Sequence, residues 1–287
     1  MDSYEHEQHI GRGKRQLHVH WTGFLNTINP TQGQYYATIR QIDPGGTASY
    51  QGLLLSGQRR LANGISALAN WTWSHCISDP PTTELTGPTY INPLDRSADR
   101  SNCASDRRRL VNISVVATSK LSNKTLNRIF GNWQLSPIAQ WQTGNYATIS
   151  TGVDDNLTGV GTQRPFQLLP DVYMPNRAYT QYLNPKAFGI PGPGQISPMR
   201  PLNVLNPGLV EIDVSLARWF AITERRKIQV RAEAFNVPNI SNAPAPVTAL
   251  NATNFGQMVA PAVGGHTVSG LNTVGPRIMQ FALKYVF

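Results

Sequence analysis

Apolar and polar side chains alternate in five separate stretches of the chain. In residues 65–75, Ile65, Ala67, Ala69, Trp71 and Trp73 fall on one face. Ser66, Asn70, Thr72 and Ser74 fall on the other, with Leu68 the exception. Val111, Ile113, Val115 and Ala117 oppose Asn112, Ser114 and Thr118, and Trp133, Leu135, Ala139 and Trp141 oppose Gln134, Ser136, Gln140 and Gln142. Further on, Val210, Ile212, Val214 and Leu216 oppose Glu211, Asp213 and Ser215, and Ile228, Val230, Ala232 and Ala234 oppose Gln229, Arg231 and Glu233. A period of two is the repeat of a strand with two unlike faces. A length of about ten residues suits a tilted strand crossing a bilayer, where ordinary globular strands have five or six. The pattern predicts an all-β fold: an antiparallel transmembrane β-barrel segment of about eight meandering strands with long external loops. On this reading Trp71, Trp73, Trp133 and Trp141 form the aromatic girdle at the membrane surface. Asn70, Glu211, Asp213, Arg231 and Glu233 face the lumen. A soluble sandwich also alternates, but charges on the polar face and Trp at the ends of the apolar face favour a wet lumen and a lipid boundary.

Barrels of this kind alternate short periplasmic turns with long external loops. With the C-terminus placed in the periplasm, the last strand is 277–287, and the connection before it, 236–276, is long. Reading backwards, 221–226 is short, 151–208 very long, 120–132 medium, 76–108 long, 61–64 short and 26–49 long. The alternation holds provided 133–150 is one bent crossing, and it gives eight strands beginning with 16–25. At the end of the chain Met279, Phe281, Leu283, Tyr285 and Phe287 share a face. An alternating apolar strand with a terminal aromatic looks like the signal read by barrel-assembly machinery, here Phe281, Leu283, Tyr285 and Phe287.

Composition sharpens this picture. Charged residues are 14% of the 287, against about 25% in typical soluble domains, while mean hydropathy is −0.29. Polar uncharged residues, 24 Gly and 21 Pro fill the difference, a mix that disfavours long helices and suits short strands with many loops. No apolar run is long enough for a transmembrane helix, which leaves a barrel open. Met1 leads into Asp2, Glu5, His6 and Glu7, which is no secretory leader. An exported barrel needs one, so either the chain is soluble and cytoplasmic or it is the downstream part of something longer. The formal charge of +9 raises nucleic acid as a partner. The basic residues are scattered, however, in small clusters at Arg59-Arg60, Arg107 to Arg109 and Arg225 to Lys227. These lie beside strand ends, where outer-membrane lipid is the expected partner.

The segments TASYQGLLLSGQRRLANGISALANWTWSH, NPLDRSADRSNCASDRRRLVNISVV, GNWQLSPIAQWQTGN, LNPKAF and LVEIDVSLARWFAITERRKIQVRAEAFNVPN, with the ending PRIMQFALKYVF, resemble the C-terminal barrel of Oar-like TonB-dependent outer-membrane transporters. The resemblance runs from about Thr47 to Phe287. Residues 1–31 match poorly and hold one candidate strand; 32–287 correspond to the C-terminal part of the barrel. The resemblance implies a barrel of about 22 strands, plugged by an N-terminal domain and energised by TonB. The plug, the TonB-contacting segment and the signal peptide are not visible here. The chain is therefore expected to hold the last third of such a barrel, with TonB and plug as partners only of the full-length relative. The alternative is a self-contained eight-stranded barrel with a structural or adhesive role.

Cys76 and Cys103, the only cysteines, share one external loop, and outside the cell a disulfide between them is expected. By loop entropy it would stabilise by roughly 3.5 kcal/mol. Asp95, Arg96, Asp99, Arg100 and 106–109 form an Asp/Arg-rich stretch, expected to pair internally and order that loop rather than bind a cation or an acidic ligand. His18 and His20, with His6 and His9 nearby, have a spacing that permits metal ligation, but lack a carboxylate or thiol partner at a suitable spacing. No metal or cofactor is expected. Catalytic signatures are missing: no Gly-x-Ser-x-Gly, no phosphate-binding Gly loop and no His-Glu-x-x-His. The chain does not read as an enzyme.

Overall fold

The computed structural model describes residues 8–9, 16–17, 28–35, 46–79, 90–91, 95–154, 163–223, 225–259 and 276–287. Seven long strands dominate: β1 (Ala48–Ala62), β2 (Ile65–Ser78), β3 (Arg109–Thr118), β4 (Trp133–Gln142), β5 (Leu209–Ala221), β6 (Lys227–Phe235) and β7 (Ile278–Val286). They pair in chain order, each antiparallel to the next, as one meandering sheet. An eighth member, the two-residue strand Ser101–Asn102, pairs with the end of β2 at Ile77–Ser78.

Of the predicted first strand over 16–25, only Gln16–Leu17 fall among the described residues. Gln16–Leu17 pair with Gln8–His9 in a separate two-strand ladder, and residues 18–27 lie outside the described residues. The stretch 133–150 is a single crossing, as the loop alternation required. β4 ends at Gln142, and Tyr146–Ala147 turns aside to pair with Val204–Leu205.

The connections alternate in size. β1 and β2 are joined by Asn63-Gly64, both with positive φ (53° and 79°). That is the Asn-Gly geometry whose twist matches a tight hairpin. Only glycine fits the second position, because a Cβ there would collide with the Thr118 carbonyl. The turn 222–226 between β5 and β6 closes with Ile222 N donating to Arg226 O at 2.9 Å. The 119–132 connection carries the helix α1 (Lys124–Phe130), N-capped by Asn123, whose side chain accepts from Thr125 N and Leu126 N. At the other end of the strands stand three long connections: 79–108, 143–208 and 236–277.

The packed core is not in the sheet. The buried apolar cluster is Ile149, Val172, Tyr182, Leu183, Ala187, Phe188, Met199, Val204, Phe255 and Met258. Every member comes from the second or third long connection, which fold on each other as a cap. On the strands, by contrast, large apolar side chains stand open: Phe281 and Leu283 are 77% and 75% exposed. Among the described residues no helix is long and apolar enough to cross a membrane.

Candidate functional site: the polar face and its cap

Directly paired residues of neighbouring strands lie on the same face of a sheet, so the register carries each face across the molecule. One row runs Ser56, Asn70, Asn112, Gln140 and Glu211 over five strands. A second joins Ser136, Ser215, Glu233 and Gln280. A third includes Gln134, Ala217 and Arg231. The five residues expected to face a lumen, Asn70, Glu211, Asp213, Arg231 and Glu233, therefore share one face. The apolar exceptions Leu68 and Ile138 fall together in the row that ends in Asp213.

The polar face is internally bonded. Ser56 Oγ donates to Asn70 Oδ1 at 2.7 Å, and Gln280 Nε2 donates to Glu233 Oε2 at 2.7 Å. Arg231 Nε lies 3.3 Å from Glu233 Oε1. Asp213 Oδ1 accepts from Asn236 N at 2.9 Å, which fixes the exit of the third long connection to the polar face. Among the described residues no three His, Cys, Asp or Glu side chains are placed to hold a metal ion. His6, His18 and His20 lie outside the described residues, and of His9 only the backbone is placed.

The opposite face is apolar and has aromatics at two levels. Trp71, Val111, Trp141 and Val210 form one row, with Trp73 one step nearer the long connections. Trp133 lies at the other level, near the short turns, in the row of Arg218, Val230 and Leu283, followed by Phe220, Ile228 and Tyr285. Trp141 and Trp133 stand roughly 26 Å apart along one strand, comparable with the ~25 Å apolar band of a membrane barrel. Met279, Phe281, Leu283 and Tyr285 all lie on this face, and Phe287 stacks on Tyr285 with ring centres 5.9 Å apart.

The cap is anchored to the sheet by the Asp/Arg-rich stretch. Cys76 and Cys103 are joined by a disulfide, their Cα atoms 5.3 Å apart, and Cys103 N donates to Cys76 O at 3.1 Å. The buried Asp106 carboxylate accepts from Cys76 N at 3.0 Å and Arg108 Nε at 2.9 Å, with His75 Nδ1 at 3.4 Å. Asp99 is bound by the equally buried Arg164 of the second connection and by Ile91 N at 3.0 Å. Burial pushes the Asp99 carboxyl above the usual carboxylate range, with Arg164 opposing. Arg200 reaches back to the carbonyls of Ser97 and Arg100. These side chains are spent on one another and on backbone, so the stretch is a clamp between connections.

Sequence reasoning missed the cap core. Its apolar residues come in pairs such as Tyr182-Leu183 and Ala187-Phe188, without alternation or helical spacing. Tyr173 and Tyr182 meet edge to face with centres 5.3 Å apart, and both hydroxyls reach Leu205 O. Burial raises the pKa of both. Phe188 meets Phe255 of the third connection at 5.6 Å. Tyr182 N donates to Gly256 O at 2.7 Å, Ser150 bridges to Ala249, and Asn102 Nδ2 donates to Leu202 O at 2.9 Å. All three long connections are thus knitted together.

Neither characterised proteins nor solved structures gave a match to the chain. The outer membrane beta barrel domain family matches residues 10–280, from ahead of β1 into β7. With its two-faced antiparallel meander, short turns at one end and long connections at the other, the chain belongs to the outer membrane beta barrel domain family and is a protein of the outer membrane.

Proposed function

We propose that the chain forms part of the wall of a transporter barrel, the C-terminal portion of an Oar-like TonB-dependent receptor. The observation that carries this reading is the open sheet. Among the described residues, β1 and β7 have no partner on their outer sides. Seven meandering strands also make β1 and β7 run in the same direction. An all-antiparallel closure therefore needs an odd number of further strands between them. The polar face, with Asn70, Glu211, Asp213, Arg231 and Glu233, lines the lumen or meets a plug. The knitted cap roofs the entry, and TonB acts only on the plug-bearing whole. The face ending in Phe281, Leu283, Tyr285 and Phe287 delivers the barrel to its assembly machinery. The chain itself carries out no catalysis and uses no cofactor.

A second reading, a self-contained barrel with a structural or adhesive role, is favoured by one observation: the family match begins at residue 10, ahead of β1. One more strand there would bring the count to eight, a number that closes. Two measurements separate the readings. In-frame translation of the DNA upstream of Met1 is expected to yield a plug and a TonB-contacting segment; a stop codon there removes the transporter reading. The full chain refolded in detergent is expected to regain its β-sheet circular dichroism but, with the sheet unclosed, to open in denaturing gels and migrate as an unfolded species with or without heating. A compact, heat-sensitive band would mark a closed barrel and favour the second reading.

A further inference from the structure

The two ends of the strands differ in charge. At the short-turn end, residues 59–64, 119–132, 218–227 and 284–287 hold ten Lys or Arg and one acidic residue, Glu224. The long connections, 79–108, 143–208 and 236–277, hold nine Lys or Arg and eight Asp or Glu. The cap therefore balances its charge and the turn end does not.

The four basic segments are contiguous in space. Thr118 N donates to Gly64 O at 2.6 Å, Ser119 N to Trp133 O at 2.9 Å and Trp219 N to Asn132 O at 3.2 Å, while Lys227 pairs with Val286. They make one rim. The same rim exposes apolar side chains. In α1, Leu126, Ile129 and Phe130 stand at i, i+3 and i+4 and are 48%, 56% and 59% exposed. Next to α1, the Arg218 guanidinium lies 5.2 Å from the Trp133 ring and 4.8 Å from Phe220. Cations interleaved with an exposed apolar helix stripe and an aromatic shelf are the chemistry of an element lying in a membrane interface beside anionic headgroups. In a barrel of this class the short turns face the periplasm.

We infer that this rim is a binding surface for anionic phospholipids of the periplasmic leaflet, with Arg225, Arg226, Lys227 and their neighbours on the lipid phosphate and α1 lying among the upper acyl chains. Arginine's planar fork suits phosphate oxygens. The inference rests on membership of the barrel family and holds whether or not the barrel transports.

The test is intact-complex mass spectrometry of the full chain, refolded in detergent micelles doped with phosphatidylglycerol or with phosphatidylcholine. Wild type is expected to retain phosphatidylglycerol in preference to phosphatidylcholine, and to lose it as salt rises. Each surface cation contributes about fivefold, so Arg225→Gln/Arg226→Gln/Lys227→Gln is expected to lower retention at least about tenfold. Arg100→Gln/Arg177→Gln/Lys186→Gln, which removes the same charge from the cap, should leave it unchanged. Should the first variant not fold, Arg60→Gln/Lys120→Gln/Lys284→Gln reads the same rim from other strands. Equal retention of both lipids, equal loss in rim and cap variants, or displacement of the lipid by inorganic phosphate at constant ionic strength would each overturn the assignment.

Discussion

The sheet and the cap solve opposite problems with one chain. In the cap, apolar residues turn inward: Ile149, Leu183 and Val204 have no exposed surface, and buried carboxylates are held by arginine and backbone amides. In the sheet, apolar residues turn outward, and polar ones face each other across rows such as Asn70, Asn112, Gln140 and Glu211. The difference lies in the solvent of each region. Water drives the cap to bury its apolar surface. Hydrocarbon around the strands removes that drive and penalises any backbone group left unpaired, which a hydrogen-bonded ladder satisfies.

Experiments that treat the two regions differently can break this comparison. The largest effect is expected for Arg164→Met, which strands the buried Asp99 carboxyl and should cost the cap about 3 kcal/mol or more. Proteolysis of the long connections should accelerate while the β-sheet circular dichroism of the refolded chain persists. Loss of the sheet together with the cap would show that they are one cooperative unit. Reduction of Cys76–Cys103 should loosen the same cap by roughly 3.5 kcal/mol, visible as faster proteolysis between 79 and 108. Ile212→Arg acts on the sheet instead. An Arg on the outer face costs about 2–4 kcal/mol at mid-membrane, so urea titration of vesicle-inserted protein should shift while cap proteolysis does not.

A smaller effect is expected from pH. Burial raises the folded-state pKa of Tyr173 and Tyr182 above the unfolded value of about 10. The stability they contribute is intact below that pH and falls as pH rises through the folded value. The cap should open in alkali before the sheet does, followed by tyrosinate absorbance, and Tyr173→Phe/Tyr182→Phe should abolish the early transition. The smallest effect is expected for Gln280→Ala, which removes one exposed hydrogen bond to Glu233 and should change stability by about 1 kcal/mol or less.

The sheet was legible in the sequence because a strand's two faces are written locally, in alternate residues. Val111, Ile113 and Val115 against Asn112 and Ser114 declare both strand and face without reference to any partner, and the ladder then places them as expected. The Asn63-Gly64 turn is equally local. The cap was not legible. Its core assembles Ile149, Leu183 and Phe255 from positions far apart in sequence, and the short segments between them obey no period. The Asp/Arg-rich stretch could be read as self-pairing, but that Asp99 would meet Arg164 depends on two connections meeting in space. Most of the strand expected over 16–25 lies outside the described residues.

One feature of the cap bears on how its core is completed. Phe255 and Met258 belong to the connection between β6 and β7, and they complete a core begun by Ile149 and Leu183. The second connection therefore cannot bury its apolar side chains by itself, because part of their cover comes from a segment that follows β6 in the chain. Cutting the third connection away would return those side chains to water, so the shape of one connection depends on another.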